Sequence, residues 1–276
     1  MKPITFDAWL AAHPYLEPVG RFCGEVEAAA AGTTARATAP DWEDYAADFG
    51  AGVPLLKSVD AEIDLEAAGR AVADVVRSVA PRAPGGDAVL ADLPAGGAAS
   101  RVVDWLLGED TLAPASPGLL RYLGWTAVAA YLAPVLGPFA AWRDEEKWLR
   151  AHCPTCGSLP AMAQLVGSDP GRMRLLVCGC CGTRWQYSRT GCPFCESDPR
   201  RLTTLAVEGE GGLRIDSCEL CKAYLKTYDG QGDEAVLLAD WTSLHLDVVA
   251  HDRGLRRAAA SLYDLESLLP GSPHPE

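Results

Sequence analysis

Positive charge is scarce in this chain: 24 Lys and Arg stand against 37 Asp and Glu, a net charge of −13 at neutral pH. That surplus repels a phosphate backbone as a whole and makes nucleic acid an unexpected partner. An unbroken apolar run near the start is also missing, because Asp7 and Glu17 interrupt the first twenty residues. No secretory signal is read there, and the expected location is the cytoplasm. The one long uncharged stretch, the 21 residues from Tyr122 to Trp142, is divided by Pro134, Gly137 and Pro138 and is mostly Ala and other small residues. It reads as a buried core helix from Pro117 to about Ala133, opened by Ser116-Pro117 and ended by Pro134, and no membrane partner is expected. Catalytic signatures are absent too: there is no phosphate loop, no Ser-His-Asp order and no distinctively spaced acid/base pair, so no enzyme activity is expected.

Cysteine is nearly absent from the first half, where Cys23 stands alone and reads as a small buried hydrophobe. The other nine cysteines fall between Cys153 and Cys221. Charge divides similarly: residues 1–150 hold 12 basic and 21 acidic side chains (−9), residues 151–230 hold 9 and 8 (+1), and residues 231–276 hold 3 and 8 (−5). With 276 residues, 49% of them apolar and 22% charged, the chain has the length and composition of a folded protein of about two domains. In the first half, Val72, Val75, Val76 and Val79 follow helical spacing, which predicts an amphipathic helix from Ile63 to Ala80 closed by Pro81. A shorter helix is predicted from about Ala98 to Leu107, with loops over Gly32 to Pro40 and Pro81 to Gly97. The Trp and Phe residues of this half, among them Trp9, Phe49, Trp125 and Trp148, read as core.

The second half carries Cys153-Pro-Thr-Cys156, Cys178-Gly-Cys-Cys181, Cys192-Pro-Phe-Cys195 and Cys218-Glu-Leu-Cys221, four CxxC pairs within 69 residues. Two thiolates separated by two residues can face one ion when the turn between them is tight, and the amides of that turn stabilise the sulfur charge. Two pairs complete a tetrahedral all-sulfur site, so eight cysteines make two sites. Sequential pairing encloses 21 and 22 residues and interleaved pairing 35 and 36. Loop entropy separates the two by only about 0.5 kcal/mol per site and does not decide between them. Local pattern does: Arg172 to Val177 and Thr183 to Arg189 read as strands around the second knuckle, and Leu202 to Val207 and Leu213 to Ile215 as a hairpin leading into the fourth. The expected metal ligands are therefore Cys153, Cys156, Cys178 and Cys181 for one site and Cys192, Cys195, Cys218 and Cys221 for the other.

Cys180 is a surplus thiol that reads as an unbound neighbour, and His152 is not needed because the four-sulfur set is already complete. His245 and His251, six apart, do not share a helix face and are not a metal pair. A redox dithiol would be a single CxxC in a βαβ setting, and structural disulfides belong to exported chains, so metal is the expected partner of these thiols. Four sulfurs suit zinc and iron alike and leave no open coordination position for catalysis.

The ordered knuckles, with Gly52-Val-Pro-Leu-Leu56, Leu175-Leu-Val-Cys178-Gly-Cys-Cys181-Gly-Thr-Arg-Trp185, Arg189-Thr-Gly-Cys192-Pro-Phe-Cys195-Glu, Cys218-Glu-Leu-Cys221-Lys-Ala-Tyr-Leu-Lys226 and a helix over Leu238 to Asp247, resemble the FdhE family of formate dehydrogenase accessory proteins. The resemblance covers nearly the whole second half and, more loosely, the first. It implies a cytoplasmic protein that binds iron in rubredoxin-like modules and assists maturation of formate dehydrogenase, with the eight knuckle cysteines as ligands. Cys180 departs from the family pattern, although CxxC geometry favours Cys178 as the partner of Cys181. The expected fold is multidomain α+β: a helical bundle (1–150), two rubredoxin-like or zinc-ribbon four-cysteine modules (151–190 and 191–232), and a short C-terminal helix with its tail (233–276). The expected function is an accessory, chaperone-like protein that binds the catalytic subunit of a formate dehydrogenase, carrying two metal ions, iron or zinc. Alternatives are a rubredoxin-type electron-transfer protein and a zinc-ribbon nucleic-acid binder using Arg172, Arg174, Arg184, Arg189, Arg200 and Arg201.

Overall fold

The computed structural model describes residues 5–93, 99–168, 171–197, 199–231, 233–259 and 262. The first half is helical: α1 (Phe6–Ala12), α2 (Glu17–Ala31), α3 (Trp42–Ala51), α4 (Leu65–Val79), α5 (Gly86–Ala91), α6 (Ser100–Leu106), α7 (Pro117–Trp142) and α8 (Glu145–Trp148). The Asp64 side chain caps α4 by accepting from the Ala67 amide at 2.8 Å. Val72, Val75, Val76 and Val79 of that helix are fully buried, on the face the spacing predicts. Helix α5 lies inside the stretch expected to be a loop. Its start needs glycine: Gly85 turns with φ +76°, and a Cβ on Gly86 would sit 1.6 Å from the Ala80 carbonyl oxygen.

Helix α7 does not stop at Pro134 but runs through it and Pro138 to Trp142. A proline inside a helix costs about 3 kcal/mol through the lost hydrogen bond and the ring clash. Here both prolines are exposed, while Leu132, Val135 and Phe139 are buried on the opposite face. Phe139 and Trp142 stack with Trp42 at 5.5 and 5.3 Å between centroids. Burial of that face outweighs the local cost. The apolar content of α7 is thus spent on core packing: Leu120, Leu123, Val128, Tyr131 and Leu132 are buried among the helices around it.

The second half is built on one sheet of seven strands: β1 (Pro160–Val166), β2 (Met173–Cys178), β3 (Arg184–Tyr187), β4 (Leu202–Leu205), β5 (Leu213–Cys218), β6 (Ala223–Tyr228) and β7 (Arg256–Arg257). The order is β3-β2-β1-β6-β5-β4, with β7 beside β6. Strands β1 to β3 and β4 to β6 each form an antiparallel three-stranded unit, and the two units join through the parallel pair β1–β6, Met162 facing Lys226. The four-cysteine modules are therefore halves of a single sheet. Helices α9 (Glu234–Leu237) and α10 (Leu244–Asp252) follow.

Two buried clusters hold this together. The larger runs from the helices into the first module, including Cys153, Cys156, Cys178, Cys181 and Trp185, and the second packs Met162, Ile215, Tyr224 and Tyr228 against Leu237, Leu246, Ala250 and Trp9 of α1. Between sheet and C-terminal helices lies a buried ionic knot. Lys226 Nζ is 2.7 Å from both Asp240 Oδ1 and Asp247 Oδ2, Arg257 Nη2 is 2.6 Å from Asp240 Oδ2, and the Tyr224 hydroxyl donates to Asp247 Oδ1 at 2.7 Å. Burial alone would raise the Asp240 carboxyl, but the charges of Arg257 and Lys226 outweigh it and hold it at about 2. Replacing Lys226 by Met should cost about 3 to 5 kcal/mol in denaturant unfolding, because two buried carboxylates would be left with one cation. Since the folded-state pKa of Asp240 is depressed below its usual 3.8, its stabilisation is present above that pH and is lost as the pH falls through about 2. Acid unfolding followed by circular dichroism checks this, and the Lys226→Met variant should unfold at higher pH than the parent.

Candidate metal centres

Each knuckle is a turn whose first cysteine carbonyl accepts from the amide of the residue after the second cysteine. The pairs are Gly157 to Cys153 (2.9 Å), Gly182 to Cys178 (3.2 Å), Glu196 to Cys192 (3.0 Å) and Lys222 to Cys218 (2.9 Å). All four of these residues have positive φ, +80° and +74° for the two glycines and +52° and +59° for Glu196 and Lys222. Glycine takes that conformation without cost, whereas the second module holds it with side chains that favour it less.

The turns bring the thiols together in two groups of four. In the first, Cys153 Sγ lies 3.5 Å from Cys181 Sγ and Cys156 Sγ 3.5 Å from Cys178 Sγ. In the second, Cys192 is 3.7 Å from Cys221 and Cys195 is 3.7 Å from Cys218. A tetrahedron with metal–sulfur bonds of about 2.3 Å has edges of about 3.8 Å, so each cluster could hold a zinc or iron ion, and the separations are far longer than a disulfide. The grouping is the sequential one. Cys178 joins the first cluster, while Cys180 stands outside it, buried and lining a cavity of about 500 Å³ with Tyr122, Thr126 and Trp241. His152 is also outside, its Nε2 lying 3.3 Å from the Gly52 carbonyl oxygen.

The two environments differ. The first cluster is sealed, none of its four cysteines being more than 2% exposed. Amides of Thr155 and Cys181 point at Cys153 and Cys178 sulfurs at 3.4 and 3.5 Å, and Thr183 Oγ1 lies 3.2 Å from Cys181 Sγ and 2.7 Å from Thr155 Oγ1. In the second cluster Cys192 is buried, Cys221 half-buried and Cys195 exposed. Burial pushes the Cys192 thiol up to about 12. Burial would raise Cys218 as well, but the Ser197 hydroxyl at 3.2 Å and the amides of Cys221 and Leu220 bring it down to about 6. A bound cation removes the cost of gathering four such sulfurs as thiolates.

The first cluster is also braced from the helical half. Amides of Leu55 and Leu56 donate to the Pro154 and Thr155 carbonyls, both at 2.9 Å, which gives the Gly-Val-Pro-Leu-Leu motif a physical role. Gly52 has φ +85°, and a Cβ there would lie 2.0 Å from the Arg150 side chain. Trp185 Nε1 donates to the Arg150 carbonyl at 3.0 Å and Trp148 Nε1 to the His152 carbonyl at 2.9 Å. Sequence patterns did not identify Thr155, Thr183 and Ser197 as neighbours of sulfur; only their positions beside knuckles could have signalled it.

Two four-sulfur clusters, fused in one sheet and docked on a helical bundle, define an α+β protein with two candidate metal centres. Comparison with known proteins narrows this. Residues 152–189 match the family described as FdhE, central domain. A protein named FdhE homolog from Haemophilus influenzae is 31% identical over 110 residues, 39% of this chain and 36% of that protein, and one from Shewanella baltica is 26% identical over 133 residues, 47% and 44% respectively. The matched part thus spans between about a third and a half of those relatives' own length. The crystal structure of the FdhE protein from Pseudomonas aeruginosa superposes with a TM-score of 0.61 over 90% of this chain and 88% of that one, at 23% identity, a likeness of fold. The family model and the curated relatives both point to the FdhE family, and the solved FdhE structure shares this fold.

Replacing Cys156 or Cys195 singly by Ser should remove one ion and leave the other, as read by elemental analysis of the folded variants. The Cys156 change should lower thermal stability more, because its cluster lies within the main core.

Proposed function

We propose that this chain is an accessory protein that binds the catalytic subunit of a formate dehydrogenase and assists its maturation, without itself turning over a substrate. The observation that carries this reading is the pair of closed four-sulfur sites in a chain whose residues 152–189 match the FdhE central domain. We assign Cys153, Cys156, Cys178 and Cys181, and Cys192, Cys195, Cys218 and Cys221, as the ligands of two metal ions, iron or zinc. A site with four protein ligands offers no position for a substrate or an activated water, so the ions act by holding surfaces in shape. The buried first site fixes the sheet against the helical bundle. The second, with Cys195 exposed, is the one a partner or an oxidant can reach.

That exposed thiolate edge also favours a second reading, one-electron transfer of the rubredoxin kind. The nucleic-acid reading has little support: Arg174 is buried and donates to the Gly191 carbonyl at 2.6 Å, Arg184 pairs with Glu234, and Arg201 lies 3.8 Å from Glu219. Arg174 thus serves the fold, and Arg184 and Arg201 each lie beside an acidic side chain. Purified anaerobically, the protein should form a complex with the catalytic subunit, and a strain carrying Cys195→Ser should lose formate dehydrogenase activity while its mRNA is unchanged. Normal activity in a strain lacking the protein, with no complex detected by gel filtration, would contradict the reading. A reversible visible-absorbance change during formate turnover would favour electron transfer.

A further inference from the structure

His13, Glu210 and His245 come from the turn after α1, the β4–β5 loop and the start of α10, and they meet at one point. His245 Nε2 lies 2.6 Å and His13 Nε2 3.6 Å from the same oxygen, Glu210 Oε1, and the three ligating atoms are all within 4.8 Å of one another. The side chains are 20%, 15% and 10% exposed, sheltered yet reachable from solvent. We propose that these residues form a third metal site, for a divalent transition-metal ion of borderline softness such as zinc, distinct in chemistry from the sulfur sites.

The ring of His13 is pre-oriented for this. Its Nδ1 is 3.0 Å from the Trp9 carbonyl oxygen, which can only accept, so Nδ1 carries a hydrogen and Nε2, which faces Glu210, is the nitrogen free to bind an ion. A histidine whose second nitrogen is held by a backbone carbonyl is the usual arrangement of a metal-bound imidazole. Trp9 secures it further: its ring stacks on His13 at 4.0 Å, it is buried, and its Nε1 donates to the Thr242 carbonyl at 3.2 Å. The rings of His13 and His245 lie nearly parallel, 5.3 Å apart and 26° from coplanar directions, with their Nε2 atoms on the Glu210 side.

Two imidazole nitrogens converging on one carboxylate oxygen form a donor set that a cation can bridge in place of the ring protons. Bonds of about 2.0 to 2.2 Å to a tetrahedral ion would place the three donors about 3.3 Å apart; here the histidine nitrogens lie 2.6 and 3.6 Å from the Glu210 oxygen, and no two donors are more than 4.8 Å apart. Two nitrogens and an oxygen leave a fourth position open, where both sulfur sites are closed, and they select for zinc-like ions over the softer preferences of thiolates. The bound ion would pin the N-terminal segment to the second module. The inference rests on this geometry alone and stands whether or not the partner is a formate dehydrogenase.

The test is metal stoichiometry of the full chain with both sulfur sites already filled with zinc. Added Zn²⁺ should bind as a third equivalent that Glu210→Gln and His245→Ala each weaken at least tenfold while the first two ions stay bound. Co²⁺ added instead should give weak d–d absorption without sulfur charge-transfer bands. A parent protein that stops at two equivalents, or a third equivalent that survives both substitutions, would overturn the proposal. The first of these outcomes needs no variant, so misfolding of a mutant does not protect the idea.

Discussion

Four sulfurs crowded within about 3.5 Å of their neighbours, in a pocket from which water is excluded, constitute the constraint on which this structure depends. Burial alone drives such thiols toward the protonated form, as the raised Cys156 shows. A divalent or trivalent cation reverses the balance, because each thiolate then gains a bond and loses a repulsive neighbour. The turns, glycines and threonines around the cluster make sense as parts that prepare it: amides aimed at sulfur, positive-φ residues that close each knuckle, and a Thr183 hydroxyl in hydrogen-bond contact with Cys181 sulfur.

From that centre the order propagates in two directions. Toward the helical half, the Leu55 and Leu56 amides grip the first knuckle, and the first cluster belongs to the same buried core as Val76 and Phe139. Toward the second module, the β1–β6 pairing carries the sheet across, and Lys226 on β6 ties it to Asp240 and Asp247. The break in composition near residue 150 is consequently a change of chemistry within one packed body, where a shift in cysteine and charge along the chain suggests separate units.

Much of this could be read in the sequence because it is local. CxxC spacing sets the knuckles, valine periodicity sets α4, and alternation around the second and fourth knuckles marks β2, β3, β4 and β5. What could not be read depends on distant partners. Strand β1 is buried along nearly its whole length and shows no alternation, and β6 hides a lysine that only the carboxylates of the C-terminal helices make tolerable. Helix α7 survives two prolines because aromatic packing at Trp42 and Phe139 overrides local propensity. His13 and His245 sit near opposite ends of the chain, and no spacing rule could pair them.

The claim at the centre of this account is that eight named thiolates, and no other atoms, hold two metal ions. X-ray absorption at the metal edge, on protein purified anaerobically and carrying two ions per chain, tests it most directly. The account predicts one shell of four sulfur scatterers at about 2.3 Å. Nitrogen or oxygen in that first shell, or fewer than four sulfurs per ion, would contradict it.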